Sequence, residues 1–334
     1  MDQAPVLVWL RQDLRLADNA ALAAAIDRGG PVVLAYVLDD WGPWPLGSAS
    51  RWWLHNSLAR LAEAVSAKGG MLVLRKGRAE DELPRLAAEI GAAAVQWNRR
   101  YEPHERERER RVGKALAGQG VEARDFPGNL LFEPGSVVSR EGRPFQVFTA
   151  FWRCALGLPT PAAPLPAPER IPAPARAPAS LPLEALELLP KIAWWRGMAD
   201  AWLPGEEGAR TRLAEFLGDR LDNYAAMRDR PELPATSRLS PHLTFGEISP
   251  RQVWHAVAAR SDAAGAETFL KELGWREFSY ALLAAQPDLP DKPLKREFAD
   301  FPWVEDEAGF DAWRQGLTGY PIVDAGMRQL WQTG

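Results

Sequence analysis

Nine prolines fall between Pro159 and Pro182, most of them separated by alanines. Proline lacks an amide N–H and fixes φ, so neither a helix nor a central strand can run through this stretch. An extended connector draped over the surface is predicted there. It divides a chain of 334 residues, 46% of them hydrophobic, into two parts that each have enough apolar material for a core.

The two parts are patterned differently. Before the prolines, Val6–Leu10 and Val32–Leu38 are short, nearly continuous apolar runs, as expected of strands buried on both faces. Between them an alanine-rich stretch from Asn19 to Arg28 reads as a helix that ends at Gly29-Gly30. A second helix carries Leu54, Leu58, Leu61 and Val65 on one face, and Met71–Leu74 and Ala93–Trp97 add two strands. This alternation predicts an α/β domain with a doubly wound parallel sheet over residues 1–130. A connector is expected over 131–200. An all-helical domain is expected over 201–334, with helices in the windows Gly208 to Leu217 and Thr268 to Leu283.

The totals exclude several functions. The net charge is −4, so a nucleic-acid site would have to be a local basic patch on a mildly acidic body. A single cysteine, Cys154, rules out an internal disulfide and a multi-cysteine zinc site, and four histidines leave little for a metal cluster. No targeting leader and no apolar run of membrane-spanning length is legible, so a cytoplasmic protein is expected. For most of the fifteen tryptophans, bulky core filling is the expected role.

The chemistry concentrates in two places. In Asp222–Ser249, Thr236, Ser237, Arg238 and Ser240 gather hydroxyl donors around one guanidinium between stiffening prolines. A phosphate or diphosphate needs that combination, although a capped loop favours the same residue types. In Glu272–Phe278, Glu272, Trp275 and Arg276 fall near one face of a helix. They would offer an aromatic wall and a hydrogen-bonding carboxylate to a flat base, or a plain surface ion pair between Glu272 and Arg276. The run Glu105–Arg111 alternates charges and is read as a solvated, ion-paired helix face.

Together with Asp222–Ser249, the stretches Trp9–Asn19, Arg51–Leu58, Phe145–Thr149 and Thr318–Arg328 resemble the DNA photolyase/cryptochrome family, most nearly the class I cyclobutane-dimer photolyases. The resemblance implies a Rossmann-like antenna domain followed by a helical FAD-binding domain. The C-terminal part of that second domain is expected to be missing after Gly334. It also implies light-dependent repair of damaged DNA by reduced FAD, in a monomer that needs no metal and no membrane. Tyr224, Thr236, Ser237, Arg238, Leu239, Ser240 and Phe269 would contact FAD. Trp275 would pack on a flipped pyrimidine dimer, and Glu272 would hydrogen-bond its bases and stabilise the radical anion formed on electron transfer. Arg228 and Arg276 would join them at the DNA. Trp303 matches the solvent-side tryptophan of the photoreduction chain, whose other members are expected in the tract after Gly334; a plain buried tryptophan is the other reading. Glu105 matches an antenna-contacting glutamate, while His104 stands where folate-binding members have asparagine. The resemblance leaves three readings of the antenna site: methenyltetrahydrofolate, an 8-hydroxy-deazaflavin, or no chromophore. The alternatives are a cryptochrome-type photoreceptor and an inactive truncated photolyase.

Overall fold

A computed structural model describes residues 4–334. Five parallel strands form one sheet in the order β3-β2-β1-β4-β5: β1 Val6–Leu10, β2 Val32–Leu38, β3 Leu72–Lys76, β4 Ala94–Asn98 and β5 Glu122–Phe126. The helices α1 Ala20–Asp27, α2 Ser48–Ala67, α3 Ala79–Ile90 and α4 Pro103–Ala117 provide the crossovers. Val6, Val8 and Leu10 enter the core on one face of β1, and Leu7 and Trp9 enter the core on the other. This period of two, apolar on both sides, is why the strand reads as a continuous apolar run. Asn19 caps α1 by accepting from the Leu22 amide at 3.1 Å.

Sequence reading missed two elements of this domain. The strand β5 is an edge strand with the polar sequence Glu-Ala-Arg-Asp-Phe, and its exposed side chains leave no apolar run to detect. The helix α3 carries Pro84 internally, and its buried face is Ala79, Leu83, Leu86 and Ala87.

After the sheet the chain is helical: α5 Phe148–Leu156, α6 Arg196–Ala201, α7 Glu206–Glu215, α8 Tyr224–Met227, α9 Ser240–Phe245, α10 Pro250–Ala258, α11 Ala266–Ala285, α12 Glu307–Gln315 and α13 Pro321–Thr333. A helical core gathers Phe151 and Trp152 from α5 with Phe216, Tyr224, Trp254, Phe269 and Phe278. Thus α5, within the stretch expected to connect, packs as part of that core. The proline-rich segment is likewise fastened to the sheet domain. The Ile171 side chain is fully buried, and its amide donates to the Lys68 carbonyl at 2.9 Å. The Leu181 amide donates to the Leu74 carbonyl at 2.9 Å. An extended chain can present such N–H groups to the adjacent backbone.

The two cores meet through the loop after β1. Arg15, fully buried, donates to the carbonyls of Gly246 and Asp18 at 2.9 Å and of Gly128 at 2.8 Å. Buried Asp18 pairs with Arg251 at 2.7 Å. Gly246 has φ +66°, and a Cβ there would lie 2.0 Å from the Gln12 carbonyl oxygen, so only glycine permits this approach.

Only six of the fifteen tryptophans are buried: Trp9, Trp52, Trp53, Trp97, Trp152 and Trp254. Seven are exposed, which corrects the expectation that most fill the core. A residue count cannot distinguish a ring inside a core from one on a helix surface such as that of α12 or α13. Among the described residues no helix is long and apolar enough to cross a membrane.

Candidate functional site

The hydroxyl-rich turn and α11 form facing walls of one cavity of about 750 Å³, within the size range of small-molecule sites. Tyr224, at the start of α8, lines it, as do Thr236, Ser237, Arg238, Leu239 and Ser240, which lead into α9. Opposite them α11 contributes Phe269, Glu272, Leu273, Arg276 and Tyr280. Their spacing of three, four and seven or eight residues places them on one helical face.

The turn is strained where its charge sits. Arg238 has φ +53°, a left-handed conformation that costs a non-glycine residue about 1–3 kcal/mol. Its guanidinium lies 4.2 Å from the centroid of the Trp202 ring. No carboxylate lies within ion-pairing distance of it among the described residues. Burial, reinforced by the like charges of Arg212 and Arg220, holds Arg238 below the ordinary arginine pKa. Those two neighbours share Glu215, at 3.2 and 3.9 Å. A half-buried, unpaired cation beside three hydroxyl side chains on a roomy cavity is a donor set that fits a dinucleotide's diphosphate.

On the other wall the charges pair differently from the sequence reading. Glu272 is not paired with Arg276 one turn away; Arg228, from the end of α8, takes it by hydrogen bond and ion pair. That contact raises the Arg228 pKa. Arg276 turns inward to the Asn129 carbonyl and Glu277, both at 2.8 Å. The plain i, i+4 ion pair, the alternative reading of these two residues, does not form, because each charge finds another partner. Trp275 lies beside the cavity rather than on its wall and is 46% exposed. Trp303, 78% exposed, also lies outside the wall and has Phe301 as its ring neighbour at 4.6 Å.

A second cavity, of about 380 Å³, opens at the carboxyl ends of β1, β2 and β4. The sheet order reverses between β1 and β4, and ligands of open α/β sheets bind at that position. Glu105 lines it together with Arg11, Asp39, Trp44, His104 and Arg108. Burial alone would raise the Glu105 carboxyl, but His104, Arg100, Arg11 and Arg108 outweigh it and hold the group far below the usual carboxylate range. The charge run Glu105–Arg111 is therefore not uniformly solvated. Glu105, Arg108 and Glu109 are buried because α4 packs them against Arg11 and Asp39.

Gln12 and Glu102 line both cavities and so form a shared wall. Glu102 accepts from Arg100 at 2.6 Å and from the Tyr280 hydroxyl at 3.3 Å. Burial pushes its carboxyl upward, and Arg100 more than offsets that, leaving its pKa lowered. Sequence reading overlooked Gln12, Glu102, Leu243, Thr244 and Tyr280. Tyr280 was detectable, since it lies eight residues after Glu272 on the same face. Gln12 and Glu102 come from the sheet domain and carry no local signal of their role.

Comparison with known proteins decides the family. A family model described as DNA photolyase matches residues 6–169, and one described as the FAD binding domain of DNA photolyase matches residues 269–334. The deoxyribodipyrimidine photo-lyase of Agrobacterium fabrum is 46% identical over 335 residues, covering 99% of this chain and 70% of that protein. The chain belongs to the DNA photolyase family. Its fold is similar to the crystal structure of a bacterial class III photolyase from Agrobacterium tumefaciens, with a TM-score of 0.96 at 46% identity, covering 100% of this chain and 70% of that one. That structural relative is of class III, whereas the sequence motifs pointed nearest to class I. Cryptochrome-1 of Arabidopsis thaliana is 38% identical over 344 residues, covering 98% of this chain and half of that protein. Phe269, Glu272, Trp275, Arg276 and Trp303 fall inside the matched FAD-binding region, whereas Tyr224 to Ser240 lie between the two matched regions.

Proposed function

We propose that this chain is the antenna-binding domain (residues 1–130), a connecting stretch (131–200) whose α5 packs into the helical core, and part of the FAD-binding domain (201–334) of a cytoplasmic, monomeric deoxyribodipyrimidine photo-lyase. Its reaction is the light-dependent repair of cyclobutane pyrimidine dimers in DNA. One observation carries the reading: a single cavity joins an unpaired arginine and the hydroxyl residues beside it to a helix face bearing Glu272.

Arg238 grips the FAD diphosphate, Thr236, Ser237 and Ser240 donate to it, and Tyr224, Leu239 and Phe269 wall the cofactor. When bound, reduced FAD would supply on light excitation an electron that opens the dimer's cyclobutane ring and then returns to the flavin, with no net redox change. Glu272 hydrogen-bonds the flipped bases and Trp275 packs on their apolar face. Arg228 pairs with Glu272 and reaches a backbone phosphate, a contact that positions DNA without reading sequence. Arg276 fixes α11 to the loop at Asn129 and so supports the DNA-facing surface. Trp303 serves electron supply from the solvent side. The cavity at the sheet's carboxyl edge takes a second chromophore of the methenyl-folate or deazaflavin class, with Glu105 among its contacts.

The test is loss of cyclobutane dimers from irradiated DNA, in blue light and in darkness, by protein whose absorption shows flavin bands. Loss in light alone supports repair. Flavin bands without loss would favour a cryptochrome-type photoreceptor, and protein that stays colourless after FAD is added would overturn the cofactor assignment.

A further inference from the structure

Trp275 is the large aromatic that α11 leaves exposed beside the cavity, yet its ring is held in place. Phe148, the first residue of α5, stacks on it with centroids 3.8 Å apart and planes 12° apart. Phe148 in turn lies nearly parallel to Trp152, at 6.1 Å and 14°. Phe278 meets both partners edge-on, at 5.8 Å from Trp275 and 5.9 Å from Phe148. The ladder is anchored at its buried end. A Cβ on Gly274 would come within 2.4 Å of the Trp152 ring, so α5 and α11 approach as closely as a glycine allows.

Since Phe148 covers one face of the Trp275 indole, the 46% exposure of that residue belongs to the opposite face and the ring edges. A tryptophan backed in this way presents one flat surface in one orientation. A flat ligand that stacks on it need not first immobilise the side chain, which for a rotamer-rich group costs a measurable part of the binding free energy.

We propose that Phe148 is a positioning residue for lesion recognition. It fixes the Trp275 ring so that the outward face receives the flipped pyrimidine dimer. The proposal rests on the reading of Trp275 as the dimer-packing wall. It also gives a role to the Phe145–Thr149 motif, which no part of the cofactor site uses.

The test measures dissociation constants of the FAD-loaded protein for a duplex carrying one cyclobutane dimer and for the same duplex undamaged. The variants are Phe148→Leu, Phe148→Tyr and Trp275→Ala. Phe148→Leu removes the stacked ring but keeps the bulk. It is expected to weaken dimer-duplex binding about three- to tenfold, with undamaged duplex unaffected. Phe148→Tyr keeps the ring and should restore the parent value, a rescue that general loosening of the helical core would not give. Unchanged dimer binding in Phe148→Leu, with Trp275→Ala weakened, would overturn the role of Phe148 and leave that of Trp275 standing. Equal weakening on both duplexes, or no rescue by tyrosine, would also overturn it. Unchanged dimer binding in Trp275→Ala would remove the reading on which the proposal stands.

Discussion

Replacing Arg238 with alanine tests the cofactor assignment most directly. In the free protein Arg238 has no carboxylate partner within ion-pairing distance, so the substitution breaks no ion pair. What the free state loses is the contact with the Trp202 ring at 4.2 Å, worth about 0.5–1 kcal/mol at a partly exposed position. In the complex the loss is larger. A hydrogen bond to a charged group contributes about 1.5–3 kcal/mol, and a guanidinium can give a diphosphate two in parallel. Because Arg238 is half-buried, solvent screening argues for the low end, about 2 kcal/mol overall. That corresponds to roughly a thirtyfold rise in the FAD dissociation constant. Titrating flavin-stripped protein with FAD and following quenching of flavin fluorescence gives the constant directly. Arg238→Lys keeps the charge but not the fork, so it should recover only part of the loss. The alanine effect should also shrink as salt is raised. Affinity within twofold of the parent at low salt would show that this guanidinium does not hold the cofactor, and the placement of the diphosphate on this turn would fall.

Three further outcomes are expected. Gly246→Ala forces a Cβ to within 2.0 Å of the Gln12 carbonyl at a left-handed position, and should destabilise the protein by about 3 kcal/mol; an unchanged denaturation midpoint would mean that the loop after β1 yields without cost. Glu102 has a lowered carboxyl pKa in the folded protein, so its contribution to stability is present above its unfolded pKa and is lost as pH falls through the folded value. Glu102→Gln should therefore lower the melting temperature at neutral pH and converge with the parent in acid, and parallel curves across the acid range would contradict this. Arg228→Ala leaves Glu272 without its partner and should reduce the steepness with which DNA affinity falls with salt by about one unit on a logarithmic plot; an unchanged slope would mean that Arg228 meets no phosphate.

Strands β1 to β4, the order of sheet then helices, and both chemical clusters were legible because each is written locally. Apolar runs mark β1 and β2, hydroxyls flank Arg238, and helical spacing groups Glu272 with its neighbours. Strand β5 was not legible, since an edge strand needs no apolar face. The charge run of α4 misled for the converse reason: Glu105, Arg108 and Glu109 are polar and still buried, because Arg11 and Asp39 arrive from distant parts of the chain to neutralise them.

The sequence by itself determined which residues could hold a diphosphate and which could meet a base, because charge, hydroxyl content and ring size belong to individual residues. Tertiary structure alone decided who pairs with whom. It gave Glu272 to Arg228 rather than to Arg276, left Arg238 without a counter-charge, and set Phe148 against Trp275 across 127 positions of chain. It also made Gln12 and Glu102 a wall between two cavities. Pairing is a matter of distance, and distance between remote residues exists only after the two cores have docked through Arg15, Asp18 and Gly246.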